Sequence, residues 1–179
     1  LRTSLGVYKI NKNKILLGDP AFPNDNFSIY SGEIESKGIE FDAQGQITPE
    51  LNLVLNYANT NVEDQSGNLV AGFAKHVTNG WLNYNFAKTS ALKGFGASLG
   101  YQYQVDRSTW AWAADNQSDL PDYFRLDGAL SWRNDHFRVQ VNINNILDEY
   151  LYSGANYGSY LYWQSEPGIN GRLTVSYTL

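Results

Sequence analysis

Polar and apolar residues alternate along almost the whole chain, and nowhere more cleanly than in Arg172-Leu173-Thr174-Val175-Ser176-Tyr177-Thr178-Leu179. A period of two puts successive side chains on opposite faces of a strand, and no helical period competes with it. The pattern predicts eight strands, near 3–14, 28–47, 50–61, 76–87, 92–106, 122–133, 136–147 and 169–179. All five prolines (Pro20, Pro23, Pro49, Pro121 and Pro167) fall between these segments or at their edges. There a missing N–H costs little. The first strand is irregular: Leu5, Val7, Tyr8 and Ile10 do not share one face, so a bulge or a shifted register is expected.

The connections follow an order of their own. Tight turns are expected at 47–50, 88–92 and 133–136, and long connections at about 15–27, 62–75, 107–121 and 148–168. Short and long alternate strictly, as they do in outer-membrane barrels, where short turns face the periplasm and long loops face outward.

The two faces agree with that reading. One carries Phe41, Leu53, Leu55, Tyr57, Leu82, Leu99, Leu130, Val141, Leu173 and Val175. The other carries Glu40, Asp42, Asn56, Asn83, Gln102, Arg125, Asp127, Gln140, Asn142 and Arg172. A dry core would need a partner for each of those polar groups, whereas a wet lumen does not. Outward aromatics fall at two heights. Phe86, Phe95, Trp132, Phe137 and Tyr177 lie by the short turns, and Tyr57, Tyr101, Tyr103 and Phe124 lie by the long ones. Two bilayer interfaces favour such girdles.

Composition sharpens the choice. The chain of 179 residues has 13 Tyr, 8 Phe, 5 Trp and 16 Gly, and 17% of it is charged. A typical soluble domain carries about 25% charged residues. Cysteine is absent, which excludes disulfides and thiolate metal sites, and the net charge of −5 argues against a nucleic-acid partner. The chain begins at Leu1 rather than Met, so it is expected to be a mature chain or a piece of one, with the upstream part missing.

Two stretches go beyond pattern: Gly32-Glu33-Ile34-Glu35-Ser36-Lys37-Gly38-Ile39-Glu40-Phe41, and Val141-Asn142-Ile143-Asn144-Asn145-Ile146-Leu147-Asp148-Glu149-Tyr150. Both resemble TonB-dependent outer-membrane receptors, in particular the ferric-siderophore branch. Leu120-Pro121-Asp122-Tyr123-Phe124-Arg125-Leu126-Asp127 resembles that family's strand after a long outer loop. The resemblance implies an all-β, antiparallel transmembrane barrel of about 22 strands with a plugged lumen. Residues 1–179 would be its C-terminal portion, the last eight strands, with the N-terminal plug and earlier strands outside this chain. It also implies import of a scarce nutrient, a ferric siderophore above all, across the outer membrane of a Gram-negative bacterium. The implied partners are outer-membrane lipid, the ligand, and the TonB complex acting through the absent plug. One departure stands out: the family ends on an aromatic residue, and this chain ends on Leu179.

The residues themselves suggest scaffold roles for the motifs. Gly38 and Gly45 suggest bends or close approach, Asn142, Asn144 and Asn145 suggest side chains that pin a strand end, and Glu40 and Asp42 suggest lumenal partners for a plug arginine. No catalytic constellation, cofactor site or metal site is expected. His76 and His136 fall in connections at opposite ends, and Asp19 and Asp25 lack the spacing of an EF-hand loop. The candidate ligand-binding residues are loop aromatics: Trp110, Trp112, Tyr152, Tyr157, Tyr160 and Trp163. Rigid amphipathic rings set among Gly and Ser suit a binding surface. Two other readings stay open at this level: a complete eight-stranded outer-membrane anchor or adhesin, and a soluble lectin-like sandwich.

Overall fold

The computed structural model describes residues 1–19, 21–22, 24, 26–67, 69–70, 72–109, 118–157 and 160–178, with the backbone alone at 109, 118, 155–157 and 160–162. The elements are β1 (Arg2–Gly18), β2 (Ser28–Gln46), β3 (Leu51–Asp64), β4 (Ala74–Asn85), β5 (Phe95–Thr109), β6 (Ser118–Leu120), β7 (Tyr123–Arg133), β8 (Phe137–Asn144), β9 (Tyr152–Tyr157), β10 (Tyr160–Ser165) and β11 (Asn170–Tyr177). One antiparallel sheet runs β1-β2-β3-β4-β5-β7-β8-β11, with β6 paired to β5, and β9 and β10 form a separate hairpin. The eight strands of the main path are the eight expected from the alternation. Among the described residues the edge strands β1 and β11 do not pair with each other.

Two of the expected tight turns stay short (47–50 and 134–136), whereas the β4–β5 connection widens to 86–94; β1, β3 and β5 run past their expected long-loop ends, while β8 stops at Asn144. β1 continues to Gly18 and pairs with β2 up to Gly18↔Ser28, so the first long connection shrinks to 19–27. β3 likewise extends to Asp64. The stretches at 107–121 and 148–168 hold β6 and the β9–β10 hairpin, where plain connections were expected. β6 and β7 share one register against β5 (Arg107↔Leu120, Gln104↔Tyr123), so they are one strand interrupted at Pro121 and Asp122. A proline there cannot donate to the ladder.

The first strand corrects an expectation. Its pairing with β2 is unbroken from Arg2 to Asn13, and the irregularity comes at Lys14, in a left-handed conformation (φ 58°). Leu5 and Val7 pair with Phe41 and Ile39 on the apolar face, while Tyr8 pairs with Gly38 on the polar one. Tyr8 faces inward because Gly38 has no side chain. Its ring and the Asn59 carbonyl oxygen together fill the space a Cβ would need, and its hydroxyl meets the Thr60 Oγ1 at 3.0 Å. The same pairing recurs where Trp81 covers Gly100 and Tyr101 covers Gly80. An aromatic ring laid over a cross-strand glycine restores contact that the glycine lacks. The close approach expected at Gly38 is thus made by a neighbouring strand. Gly45 sits at φ +131°, with the Leu1 main chain close beside it.

Register sorts the faces as predicted. Tyr57, Thr78, Tyr103 and Phe124 form one outward row, and Leu53, Leu82 and Leu99 form another. Inward rows join Asn52 to Asn83 to Ser98, and Asn56 to Asn79 to Gln102 to Arg125. Several outward leucines stay exposed, with Leu99 at 51% and Leu173 at 65%, while Leu53 is half-buried. The inward amides bond one another, Asn79 to Asn56 at 3.0 Å and Asn83 to the Ser98 hydroxyl at 2.7 Å. Both aromatic levels are clustered: Phe137 and Tyr177 lie 4.9 Å apart at the short-turn end, and Tyr103 and Phe124 lie 6.0 Å apart at the other.

Candidate functional site

The expected ligand-binding aromatics are distributed unevenly. Trp110 and Trp112 lie outside the described residues. Tyr157 and Tyr160 are register partners at the tip of the β9–β10 hairpin, where only the backbone is described. Tyr152 and Trp163 come together across the hairpin, with ring centroids 5.6 Å apart and planes at 52°. Trp163 pairs with Gly154 and remains half exposed.

A polar network ties the base of this hairpin to the wall. Tyr123, Arg125 and Asp127 alternate along β7 and therefore share its inward face. Buried Arg107 donates to the carbonyl oxygen of Pro121 at 3.0 Å and to that of Tyr152 at 2.8 Å, and its guanidinium lies 5.1 Å from the centroid of the Tyr123 ring. The Pro121 carbonyl sits at the break between β6 and β7. Tyr123 donates its hydroxyl to Glu166 at 2.9 Å, and the Glu166 N–H bonds the Leu151 carbonyl at 2.9 Å. Arg125 reaches Asp127 through both Nε (3.0 Å) and a terminal nitrogen (2.9 Å) and lies 3.9 Å from Glu166. Two fork contacts to one carboxylate hold both side chains in place.

The Asn-rich motif continues the network. The second Asp127 oxygen accepts the Asn145 N–H at 2.9 Å. Asn145 is fully buried, and its amide bonds both the carbonyl and the N–H of Glu149 (2.9 and 3.1 Å). Asp148 accepts the Ile169 N–H at 2.7 Å and so joins the two ends of the excursion that carries the hairpin. Asn145 and Asp148 both sit at φ 53°, a conformation that short polar side chains tolerate better than most. Asn145 therefore pins the backbone as expected. Asn142 and Asn144 instead bond the side chains of Gln140 and Asn170. Sequence reasoning missed Arg107 and Glu166, which belong to segments read as plain loop. The Tyr123-x-Arg125-x-Asp127 alternation was the available signal for the rest.

Beside the network, a cavity of about 340 Å³ opens between the β3–β4 connection and the β5–β6 end, lined in part by Leu69, Phe73, Lys75, Asp106, Asp119 and Leu120. Among the described residues no group of three or more His, Asp or Glu could hold a metal ion. Asp19 accepts the Ala21 N–H at 2.9 Å as a simple turn, and Asp25 lies outside the described residues. His76 falls within β4 rather than in a connection, where the Tyr57 hydroxyl lies 2.9 Å from its Nδ1, and His136 lies in the β7–β8 turn at the other end.

Known proteins share this architecture. Over 97% of its length the chain is 25% identical to the ferrioxamine B receptor of Salmonella typhimurium, covering 25% of that receptor. It is 29% identical to the ferrichrome outer membrane transporter/phage receptor of Escherichia coli over 96% of the chain and 23% of the transporter. The chain thus spans about a quarter of the length of these relatives. The pyoverdine outer membrane receptor FpvA from Pseudomonas aeruginosa PAO1, bound to pyoverdine, superposes with a TM-score of 0.83 at 18% identity, covering 99% of this chain and 27% of the receptor. The ferric yersiniabactin uptake receptor FyuA from Yersinia pestis superposes with a TM-score of 0.79 at 17% identity, over 99% of this chain and 28% of that one. The model of the TonB-dependent receptor-like β-barrel matches residues 1–146, and the chain belongs to that family of receptors as a portion of the barrel wall.

Proposed function

We propose that residues 1–179 are the C-terminal wall of an outer-membrane receptor that imports a ferric siderophore in a Gram-negative bacterium, driven by the TonB complex through a plug outside this chain. The observation that carries the reading is the likeness, over nearly the whole chain, to the ferrioxamine B receptor and the ferrichrome transporter. The two faces support it: exposed leucines and valines meet lipid, and linked amides meet a wet lumen. Among the described residues β1 and β11 do not pair, which favours a segment of a larger barrel over a self-closed eight-stranded anchor. Glu40 and Asp42 stand on the lumenal face as acceptors for plug arginines.

On this reading the hairpin is the ligand-facing element. Tyr152 and Trp163 offer an edge of aromatic surface to the chelate, and Trp110, Trp112, Tyr157 and Tyr160 are the further ligand contacts proposed from the sequence. The Arg107–Tyr123–Glu166 contacts hold that element at the rim.

The test is uptake of radioactive iron by iron-starved cells lacking the full-length gene, supplied with one ferric siderophore at a time. Loss of uptake for at least one chelate is expected, restored by the full-length gene and abolished again when TonB is inactivated. Unchanged uptake for ferrioxamines, ferrichromes, catecholates and the cell's own siderophore would overturn the proposal.

A further inference from the structure

Two charges of opposite sign, Lys75 and Asp119, border the cavity at the β5–β6 end without meeting each other. Half-buried Lys75 stands on β4, next along from the Ala74↔Arg107 pair, and exposed Asp119 stands on β6 opposite Ser108. β5 runs between their strands in the sheet, which sets the two backbones about 10 Å apart. Among the described residues neither side chain forms an ion pair. The other charges of the cavity have company. Asp106 lies 3.9 Å from His76, and Asp122 acts on the Arg107 guanidinium, whose nitrogens already reach two carbonyl oxygens. An ammonium drawn partly out of water without a counter-charge is a cost that a bound carboxylate relieves.

The walls of the cavity are fixed by the fold. The β3–β4 connection is held to β5 at Ser108, whose Oγ accepts the Gly72 N–H at 3.2 Å and whose N–H donates to the Phe73 carbonyl oxygen at 3.3 Å. The same connection is held to β3 by the Val70 N–H, which donates to the Val62 carbonyl oxygen at 2.9 Å. Leu69, Phe73 and Leu120 thereby give an apolar lining to a space of about 340 Å³ that both charges border. A few polar groups converging on an apolar lining are the form of a small-ligand site.

We infer that this cavity holds a zwitterionic end group of the imported chelate, with its carboxylate toward Lys75, its ammonium toward Asp119 and a short aliphatic chain on Leu69, Phe73 and Leu120. The inference rests on the proposed function for the chelate that carries the group. A group with a single charge is attracted by one of these side chains and repelled by the other. One that carries both charges is attracted by both. The site is separate from the rings of Tyr152 and Trp163, which lie on the β9–β10 hairpin.

The experiment uses the purified full-length receptor in detergent, without siderophore, and three racemic probes that share one side chain: norleucine, its cationic carboxamide and its anionic N-acetyl derivative. Dissociation constants are read by saturation-transfer NMR. Norleucine should bind tighter than either derivative by roughly fivefold, the upper range for one exposed ion pair. Lys75→Gln should weaken norleucine to the level of the carboxamide, and Asp119→Asn should weaken it to that of the N-acetyl derivative. Asp135→Asn, in the β7–β8 turn at the opposite end, should change nothing. Equal binding of the three probes, no binding of norleucine, or norleucine binding that survives both substitutions overturns the inference. So does a carboxamide that binds as tightly as norleucine, which would make this a cation site. Unheated electrophoretic mobility reports folding, and either variant alone decides the matter if the other fails to fold. Norleucine binding beside failed iron uptake would overturn the transport reading alone, and uptake without norleucine binding would overturn this one alone.

Discussion

Asn145 grips Glu149 from both sides: its Nδ2 donates to the Glu149 carbonyl oxygen at 2.9 Å, while its Oδ1 accepts the Glu149 N–H at 3.1 Å. Asn145 is fully buried while Glu149 is exposed, and Asp127 fastens the Asn145 backbone to the β7 wall through its N–H. Removing the amide leaves two main-chain groups of exposed Glu149 to water. A typical hydrogen bond contributes about 0.5–1.5 kcal/mol net. Asn145→Ala in the full-length receptor should therefore lose about 1–3 kcal/mol of stability at this site, read as faster hydrogen exchange over 145–151. Asn145→Asp keeps the acceptor but sets a second carboxylate beside Asp127, so it should not rescue the clamp.

The Tyr123–Glu166 contact makes a narrower prediction. A phenol bonded to a carboxylate at 2.9 Å is a charge-assisted bond, and such bonds contribute about 1.5–3 kcal/mol. Tyr123→Phe should loosen the β9–β10 hairpin while leaving β7 paired. The expected outcome is faster proteolysis between residues 152 and 165 with unchanged barrel mobility on electrophoresis. Equal protection in both proteins would mean that Arg107, through the Tyr152 carbonyl, holds the hairpin alone.

The wall was legible from its alternation because each strand has one apolar and one polar face, and Leu53, Leu82 and Leu99 obey that rule without exception. Tyr8 broke the rule and was read as a register fault. Its reason is Gly38 on the next strand, thirty positions away in sequence, which a single-strand pattern cannot contain. Arg107 and Glu166 stayed hidden for a related cause. Their partners are main-chain carbonyls and a phenol brought near by strand pairing, so no local spacing marks them. Asn145 could be read because its clamp is local, reaching only four residues along the chain.

Lys9 and Glu35 lie 2.7 Å apart on the outward face, beyond the last apolar row of Val7 and Ile39. The Lys9 ammonium, hydrogen-bonded to Glu35, holds that carboxyl below its ordinary pKa. A carboxylate depressed in the folded state stabilises it above the unfolded pKa, and the effect fades as pH falls through the folded value. Hydrogen exchange over 9–12 and 33–37 should therefore quicken on acidification to about pH 3, beyond the intrinsic change in rate. Glu35→Gln should already show the looser behaviour at neutral pH and should lose the acid-dependent part. The pair is solvated, so added salt should shrink the difference.

Trp163 lies beside Tyr152 with planes tilted at 52° and stays half exposed, and on the proposed reading it meets the chelate from outside. Trp163→Ala in the full-length receptor should weaken binding of the imported ferric siderophore by roughly tenfold, about 1.4 kcal/mol. Quenching of intrinsic fluorescence on chelate addition should fall with it. Unaltered affinity would place the ligand away from this hairpin.

Trp81 and Gly100 are direct partners on the polar face, and the indole occupies the space where a Cβ at position 100 would stand. A side chain there must push the ring away, and overpacking of this kind costs about 1–3 kcal/mol. Gly100→Val should therefore destabilise the full-length barrel by that amount and shift tryptophan emission as Trp81 swings into the wet lumen. Strand propensity alone argues the other way, since valine suits a strand better than glycine. The double variant separates the two effects. With Trp81→Ala the obstacle is gone, so Gly100→Val in that background should cost little or become favourable, giving a coupling energy of about 1–3 kcal/mol between the sites. Additive losses in the double variant would mean that Trp81 does not cover Gly100, and that the glycine answers to a different neighbour.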